Sequence, residues 1–220
     1  MSSPHKLNVK NEQLWLSYER CIFWENNNSL ILSDLHFGKT GHFRKYGIAV
    51  PQDIFQEDLD RLLTQIKFFD CNSLIIVGDL FHSHANKEMD LFLKWRKENF
   101  ELKIHLVKGN HDILRPSFYK KADLEIFKDV YSTFPFCFIH DISQSCNTTD
   151  KSEPYTFSGH THPGIRLNGI GRQSLQFPCF HFLEHYAILP AFSKFTGLSN
   201  VNREQGDRIF ALVEKSIVEV

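Results

Sequence analysis

The sequence predicts an α/β fold, a four-layer α-β-β-α sandwich of two packed mixed sheets flanked by helices, in one domain over residues 1–220. Three observations predict it. The runs "SLILSD" and "NSLIIVGD" are short, almost continuously apolar and end in an acid, the pattern of strands buried on both faces of a helix-covered sheet. Between them Phe55, Leu59, Leu62, Leu63, Ile66 and Phe69 recur at helical spacing and form one apolar stripe. The second half of the chain loses the helical period and breaks into strand-like pieces, enough for a second sheet packed on the first.

Taken in order, Leu14 to Trp24 mixes aromatic, β-branched and polar residues as a half-buried strand or hairpin does. The first apolar run is followed by a helix over 52–69, the second run, a helix near 87–99, and "KIHLVKGNHD", which repeats the strand-then-polar-turn pattern. The first half therefore reads β-α-β-α-β, and each strand delivers polar residues at its C-terminal edge, where open α/β sheets build their sites. In the second half "FCFIHD", "YTFSGHTH", "GIRL", "LQFPCFHF" and "YAILPAF" are strands, and residues 143–154 form a solvated loop.

Composition narrows the function classes. With 220 residues, 42% hydrophobic content and 21 Phe, the chain can bury a core without staples. A formal net charge of -1 gives no global basic field toward nucleic acid or membrane. Cys21, Cys71, Cys137, Cys146 and Cys179 are scattered and contain no CxxC, which points to reduced thiols in a cytoplasmic protein. "MSSPHKLNVKNEQLWL" has no apolar h-region, and no run has the roughly 18 apolar residues of a membrane span.

The chemistry lies in the turns "SDLH", "VGDLFH", "KGNHD", "IHD" and "SGHTH". Hard or borderline divalent metals take Asp oxygens, Asn carbonyls and imidazole nitrogens, and such residues at five strand ends can hold two ions that share a carboxylate. Two ions about 3.5–4 Å apart stabilise both the attacking and leaving oxygens of a phosphoryl displacement. On an extended backbone Asp34 and His36 point the same way, as do His160 and His162, while Gly159 lets the backbone crowd the site. A lone DxH or HxH is most often a surface feature; the ordered series carries the signal. A rival motif, the "GKT" at Gly38–Thr40, mimics the tail of a P-loop, but that loop needs glycine at position 33, which is Ser33. Lys39 is then a candidate contact to substrate phosphate.

The series "DLH … GD … GNHD … H … GHTH" resembles the calcineurin-like metallophosphoesterase superfamily over roughly residues 29–190. "SDLHFGKTGHFRKYGIAVP", "GDLFHS" and "LPAFSKFTG" resemble the bacterial branch associated with a DNA ligase and helicase, a DNA-damage-response endonuclease. The resemblance implies two divalent ions, Mn²⁺ first and Fe or Zn²⁺ next, held by Asp34, His36 and His162 on one side and by Asn110, His140 and His160 on the other. Asp79 would bridge them. A hydroxide between the ions would attack phosphorus, His111 would protonate the leaving oxygen, and Asp112 would orient the His111 imidazole. The implied substrate is a phosphodiester, DNA in a repair context, with a ligase and a helicase as partners and no membrane. The alternatives are a phosphatase or phosphodiesterase acting on a small nucleotide or phosphomonoester, and a non-catalytic scaffold.

Other features have plainer readings. "GKTGHFRKYG" reads as a solvated charged loop, but it directly follows the first ligand motif, making Lys39, His42 and Arg44 substrate-binding candidates, with Arg166 and Arg172 beyond "GHTH" able to join them. His82, three residues after Asp79, either contacts substrate or the outer side of the ligands, or simply packs. "HFLEH" matches the H-x-x-E-H peptidase pattern, which needs a helix, yet it follows Phe177-Pro178 among strand residues. His181 and His185 are expected to flank a turn, His105 to pack by a strand, and His5 to lie in a frayed terminus.

Overall fold

The computed structural model describes residues 3–47, 50, 54–82, 86–144, 153–169 and 174–220, without the side chains of His42 and Lys45. His84, Cys146 and Arg172 lie outside the described residues.

The expected α/β fold of two packed mixed sheets is present. The first sheet runs in chain order: β1 (His5–Val9), β2 (Glu12–Ser17), β3 (Cys21–Trp24), β4 (Ser29–Leu32), β5 (Ser73–Val77), β6 (Lys103–Val107) and β7 (Glu125–Phe127). The first four strands are antiparallel neighbours, and β4 to β7 are parallel. Parallel pairing needs crossovers, which the helices supply. Helix α1 (Lys39–Lys45) and α2 (Ile54–Phe69) lie between β4 and β5, α3 (Lys87–Glu98) between β5 and β6, and α4 (Pro116–Lys121) between β6 and β7. The segment expected to be a charged loop after "DLH" is thus a short helix, α1. His5 is not frayed; it sits in β1 with its ring 4.9 Å from that of Phe210.

The second sheet contains β8 (Val130–Thr133), β9 (Phe136–Ile139), β10 (Tyr155–Ser158), β11 (Pro163–Asn168), β12 (Ser174–Phe182), β13 (Tyr186–Ile188), β14 (Ser199–Asn200), β15 (Arg208–Val213) and β16 (Ser216–Glu219). Its order is β14-β11-β12-β13-β10-β9-β8, and β15 pairs with both β12 and β16. Among the described residues the second half adds only a 3₁₀ turn, Ile142–Gln144, to the helices.

Alternation along the apolar runs divides the core in two. Leu30, Leu32, Leu74, Ile76, Ile104 and Leu106 face the helices, packing with Phe55, Leu59, Leu62, Phe92 and Tyr119. Their neighbours Ile31, Ile75, Val77 and Val107 face the second sheet and meet Phe136, Phe138, Phe157, Phe180 and Phe210. Both faces being buried explains why these strands read as continuous apolar runs. Truncating Ile75 to alanine between the sheets costs about 2–5 kcal/mol. The consequence for function is positional: the C-terminal ends of β4, β5 and β6 meet those of β9 and β10 along one edge.

Candidate metal centre

Asp34, His36 and His162 gather at that edge, as do Asp79, His140 and His160, each trio with ligand atoms within 4.8 Å of one another. Asp34 Oδ1 lies 3.2 Å from His162 Nε2, and the His36 and His162 Nε2 atoms are 3.3 Å apart. In the second group His140 Nε2 lies 3.3 Å from His160 Nδ1 and 3.2 Å from Asn110 Oδ1. Asp79 Oδ2 reaches toward both groups, 3.9 Å from His36 Nε2 and 3.5 Å from His140 Nε2.

The paired ligands do not converge by strand pleat, as their i, i+2 spacing suggested. Asp34, His36, Asp79, His160 and His162 all have left-handed backbone, with φ of 53°, 49°, 50°, 68° and 49°. A non-glycine residue there costs roughly 1–2 kcal/mol, so the surrounding bonds must hold it. They do. The Asp34, His36 and Phe37 N–H groups donate to the Gly78, Asp79 and Leu80 carbonyls at 2.9–3.1 Å, lacing the two turns together. From the other side, the N–H groups of Phe192 and Ser193 donate to the Ser33 and Asp34 carbonyls. The "LPAFSKFTG" stretch is fixed in turn by Arg20, which donates to the Ala191 and Ser193 carbonyls, and by Arg61, which donates to the Phe192 carbonyl and lies 4.0 Å over its ring.

Two glycines are required by close approach. A Cβ on Gly159 would lie 2.6 Å from Asp34 Oδ2, and one on Gly78, at φ +82°, would lie 1.9 Å from His140 Nδ1. Bare backbone is what lets Asp34 Oδ2 accept from the His160 N–H at 3.0 Å.

The donor set fits divalent ions. Asp34 Oδ1 is buried without a hydrogen-bond donor, and an orphaned carboxylate oxygen facing two imidazoles calls for an occupant. Burial outweighs the attraction of Asp34 and Asp79 and pulls His36 down to about 3, leaving the imidazole neutral as a ligand must be. His140 Nδ1 lies 3.0 Å from the Val77 carbonyl, so its proton belongs there and Nε2 turns to the site. Burial opposes charge on Asp79 and His140, but their mutual contact prevails. It raises His140 to about 9 and, with the His111 N–H, holds the Asp79 carboxyl below its usual range.

The remaining expected residues divide. The His111 ring stacks on His82 at 4.8 Å and meets His36 edge-on at 5.4 Å, so His82 belongs to the site's outer wall. Lys39 is half-buried with its ammonium 6.0 Å from the Phe195 ring, and burial lowers its pKa. Asp112 does not orient the His111 ring. Its two oxygens accept from the Phe81 and Gly109 N–H groups, both at 2.9 Å, joining the Asp79 turn to the Asn110 turn. Arg44 is withdrawn from the substrate set, because its guanidinium is bound 2.8 Å from Glu88. That carboxylate also accepts from the Gly38 N–H and the Thr40 hydroxyl, so the "GKT" groups that would cradle a phosphate in a P-loop are spent on Glu88. His42 lies on α1 with its side chain outside the described residues, and Arg166 is exposed on β11 opposite Gln176. "HFLEH" is a strand and turn: His181 pairs with Asp207 at 2.7 Å on β12, and His185 follows in the turn. His105 packs as read, 2.9 Å from Glu125 and stacked on Tyr131. Arg20, Arg61 and Glu88 escaped the sequence reading because their partners are remote in the chain.

The fold and these two ligand groups define a metal-dependent phosphoesterase. Residues 28–212 match the calcineurin-like phosphoesterase family, and the chain belongs to it. Among solved structures it is similar to Pseudomonas putida nuclease MPE, at a TM-score of 0.82 and 26% identity, covering 99% of this chain and 100% of that one. It is more distantly similar to YfcE, a phosphoesterase from E. coli, at a TM-score of 0.48 and 14% identity over 87% of this chain and 97% of that one. No curated protein matches it by sequence. No helix among the described residues is long and apolar enough to cross a membrane.

Proposed function

We propose that the chain is a binuclear-metal phosphodiesterase that hydrolyses DNA in a repair context, as one cytoplasmic domain working with a ligase and a helicase. The observation that carries the two-metal part is Asp79 Oδ2, which faces His36 Nε2 and His140 Nε2 from a single carboxylate. The nuclease assignment draws on the similarity to the P. putida nuclease over essentially the whole chain.

Asp34, His36 and His162 would hold one ion, Asn110, His140 and His160 the other, with Asp79 between. Carboxylate, amide and imidazole ligands without thiolate suit Mn²⁺, Fe or Zn²⁺, and the branch resemblance favours Mn²⁺. When bound, the ions would polarise the attacking water and neutralise charge growing on the phosphoryl oxygens. The residues supply the rest. His111, beside His36, protonates the leaving oxygen. Lys39, held half-buried next to the first ligand motif, takes a non-bridging phosphate oxygen. His82 backs the His111 ring by stacking on it.

The test is a Mn²⁺ titration of metal-stripped protein against bis(p-nitrophenyl) phosphate and p-nitrophenyl phosphate. Diester cleavage that depends on Mn²⁺ and falls at least about 100-fold in Asp79→Asn supports the reading. Cleavage of the monoester alone would turn it to a phosphatase. Failure to bind any metal would leave a scaffold.

A further inference from the structure

Lys39 and His82 lie on the His36 flank of the ligands. The opposite flank opens into a cavity of about 290 Å³ bordered by Lys108, Asn110, Lys128, His140, Gln144 and His160. Three of these belong to the second ligand group, so whatever fills the cavity touches the reacting centre.

The two lysines are placed by the sheet. Val107 and Phe127 are paired in register on β6 and β7, and the Lys108 N–H donates to the Phe127 carbonyl at 2.9 Å. Lys108 and Lys128 therefore leave neighbouring strand ends side by side. Like charges so placed repel unless an anion stands between them. Neither makes an ion pair among the described residues. The Lys108 ammonium lies 5.4 Å from the ring of Tyr119, a buried residue of α4. Two acids also border the cavity. Asp141 is engaged by the Ser143 N–H and the Gln144 amide, while Asp129 is exposed.

We propose that this cavity is a nucleotide subsite, seating the nucleotide on the Asn110 side of the scissile phosphate, with Lys108 and Lys128 sharing its next phosphate. The inference rests on the phosphodiesterase reading above and adds a direction to it. The strand enters beside Lys39, crosses the ligands and leaves between the two lysines. The volume lies at the small end of ligand pockets and suits one nucleotide.

The experiment compares Mn²⁺-loaded wild type with the Lys108→Gln/Lys128→Gln double variant on bis(p-nitrophenyl) phosphate and on a single-stranded deoxyoligonucleotide. Glutamine keeps the packing of the stems and removes the charge. The oligonucleotide should lose at least about tenfold more kcat/KM than the small diester, since only it has a next phosphate. Its dependence of log kcat/KM on log salt should become shallower by about 0.7, one phosphate contact on a single strand. Lys108→Arg/Lys128→Arg should restore both. Equal losses on the two substrates, or an unchanged salt slope, would overturn the subsite. If wild type cleaves the oligonucleotide and the double variant matches it, the nuclease reading stands and the subsite falls. If wild type cleaves only the small diester, the nucleic-acid reading falls and takes the subsite with it.

Discussion

Replacing Asp112 with alanine removes a carboxylate that is 1% exposed and leaves the Phe81 and Gly109 N–H groups without acceptors. Hydrogen bonds to a charged group contribute about 1.5–3 kcal/mol each, so two are worth about 3–6 kcal/mol. Burial works against the charge and pushes this carboxyl up to about 7. That offsets part of the gain and leaves a net loss of about 2–4 kcal/mol. In a chain of this size the loss lowers Tm by roughly 5–15 °C. Asp112→Asn retains one acceptor and should lose less. The assay has two arms: thermal unfolding of metal-free protein, and kcat/KM on Mn²⁺-loaded protein for aryl phosphodiesters of graded leaving-group pKa. Because Asp112 joins two ligand turns and does not touch the His111 ring, its loss should lower all substrates by a similar factor. His111→Gln should behave differently, costing about 10²–10⁴-fold on the poorest leaving groups and much less on nitrophenyl esters. If Asp112→Ala melts like wild type and selectively loses the poor leaving groups, Asp112 acts through His111 and the loop-joining argument is wrong.

Two further predictions concern the ligands. Gly159→Ala places a Cβ 2.6 Å from Asp34 Oδ2, a crowding that costs about 1–3 kcal/mol; Mn²⁺ affinity should drop by tenfold or more, and an unchanged affinity would show that Asp34 is free to move. His140, raised to about 9, keeps a proton at neutral pH that metal must displace. Affinity should therefore climb about tenfold per pH unit from 7 toward 9 and level off above it. Calorimetry in buffers of different ionisation enthalpy should report about one proton released; no buffer dependence would contradict the assignment.

Much of this was legible in the sequence because it is local. The continuous apolar runs of β4 and β5 report burial on both faces, the stripe from Phe55 to Phe69 reports α2, and the ligand residue types stand directly after strands. Those patterns depend on chain period and side-chain chemistry, which any one segment carries by itself. They determined the α/β class, the alternation of strand and helix from β4 through α2, β5 and α3 to β6, and the identity of the residues now found at one edge.

What the tertiary structure alone decided is how those residues meet. Left-handed backbone at Asp34, His36, Asp79, His160 and His162 turns the ligands inward, and it persists because strands distant in sequence lace the turns together. Arg44 and Asp112 looked available to substrate and to His111, yet Glu88 holds the first and two backbone N–H groups occupy the second. Lys108 and Lys128, twenty residues apart in the chain, become neighbours only through the register of β6 and β7. The reason is the same in each case: a charged or polar group takes its role from the partner beside it in space, and spacing along the chain does not encode that partner.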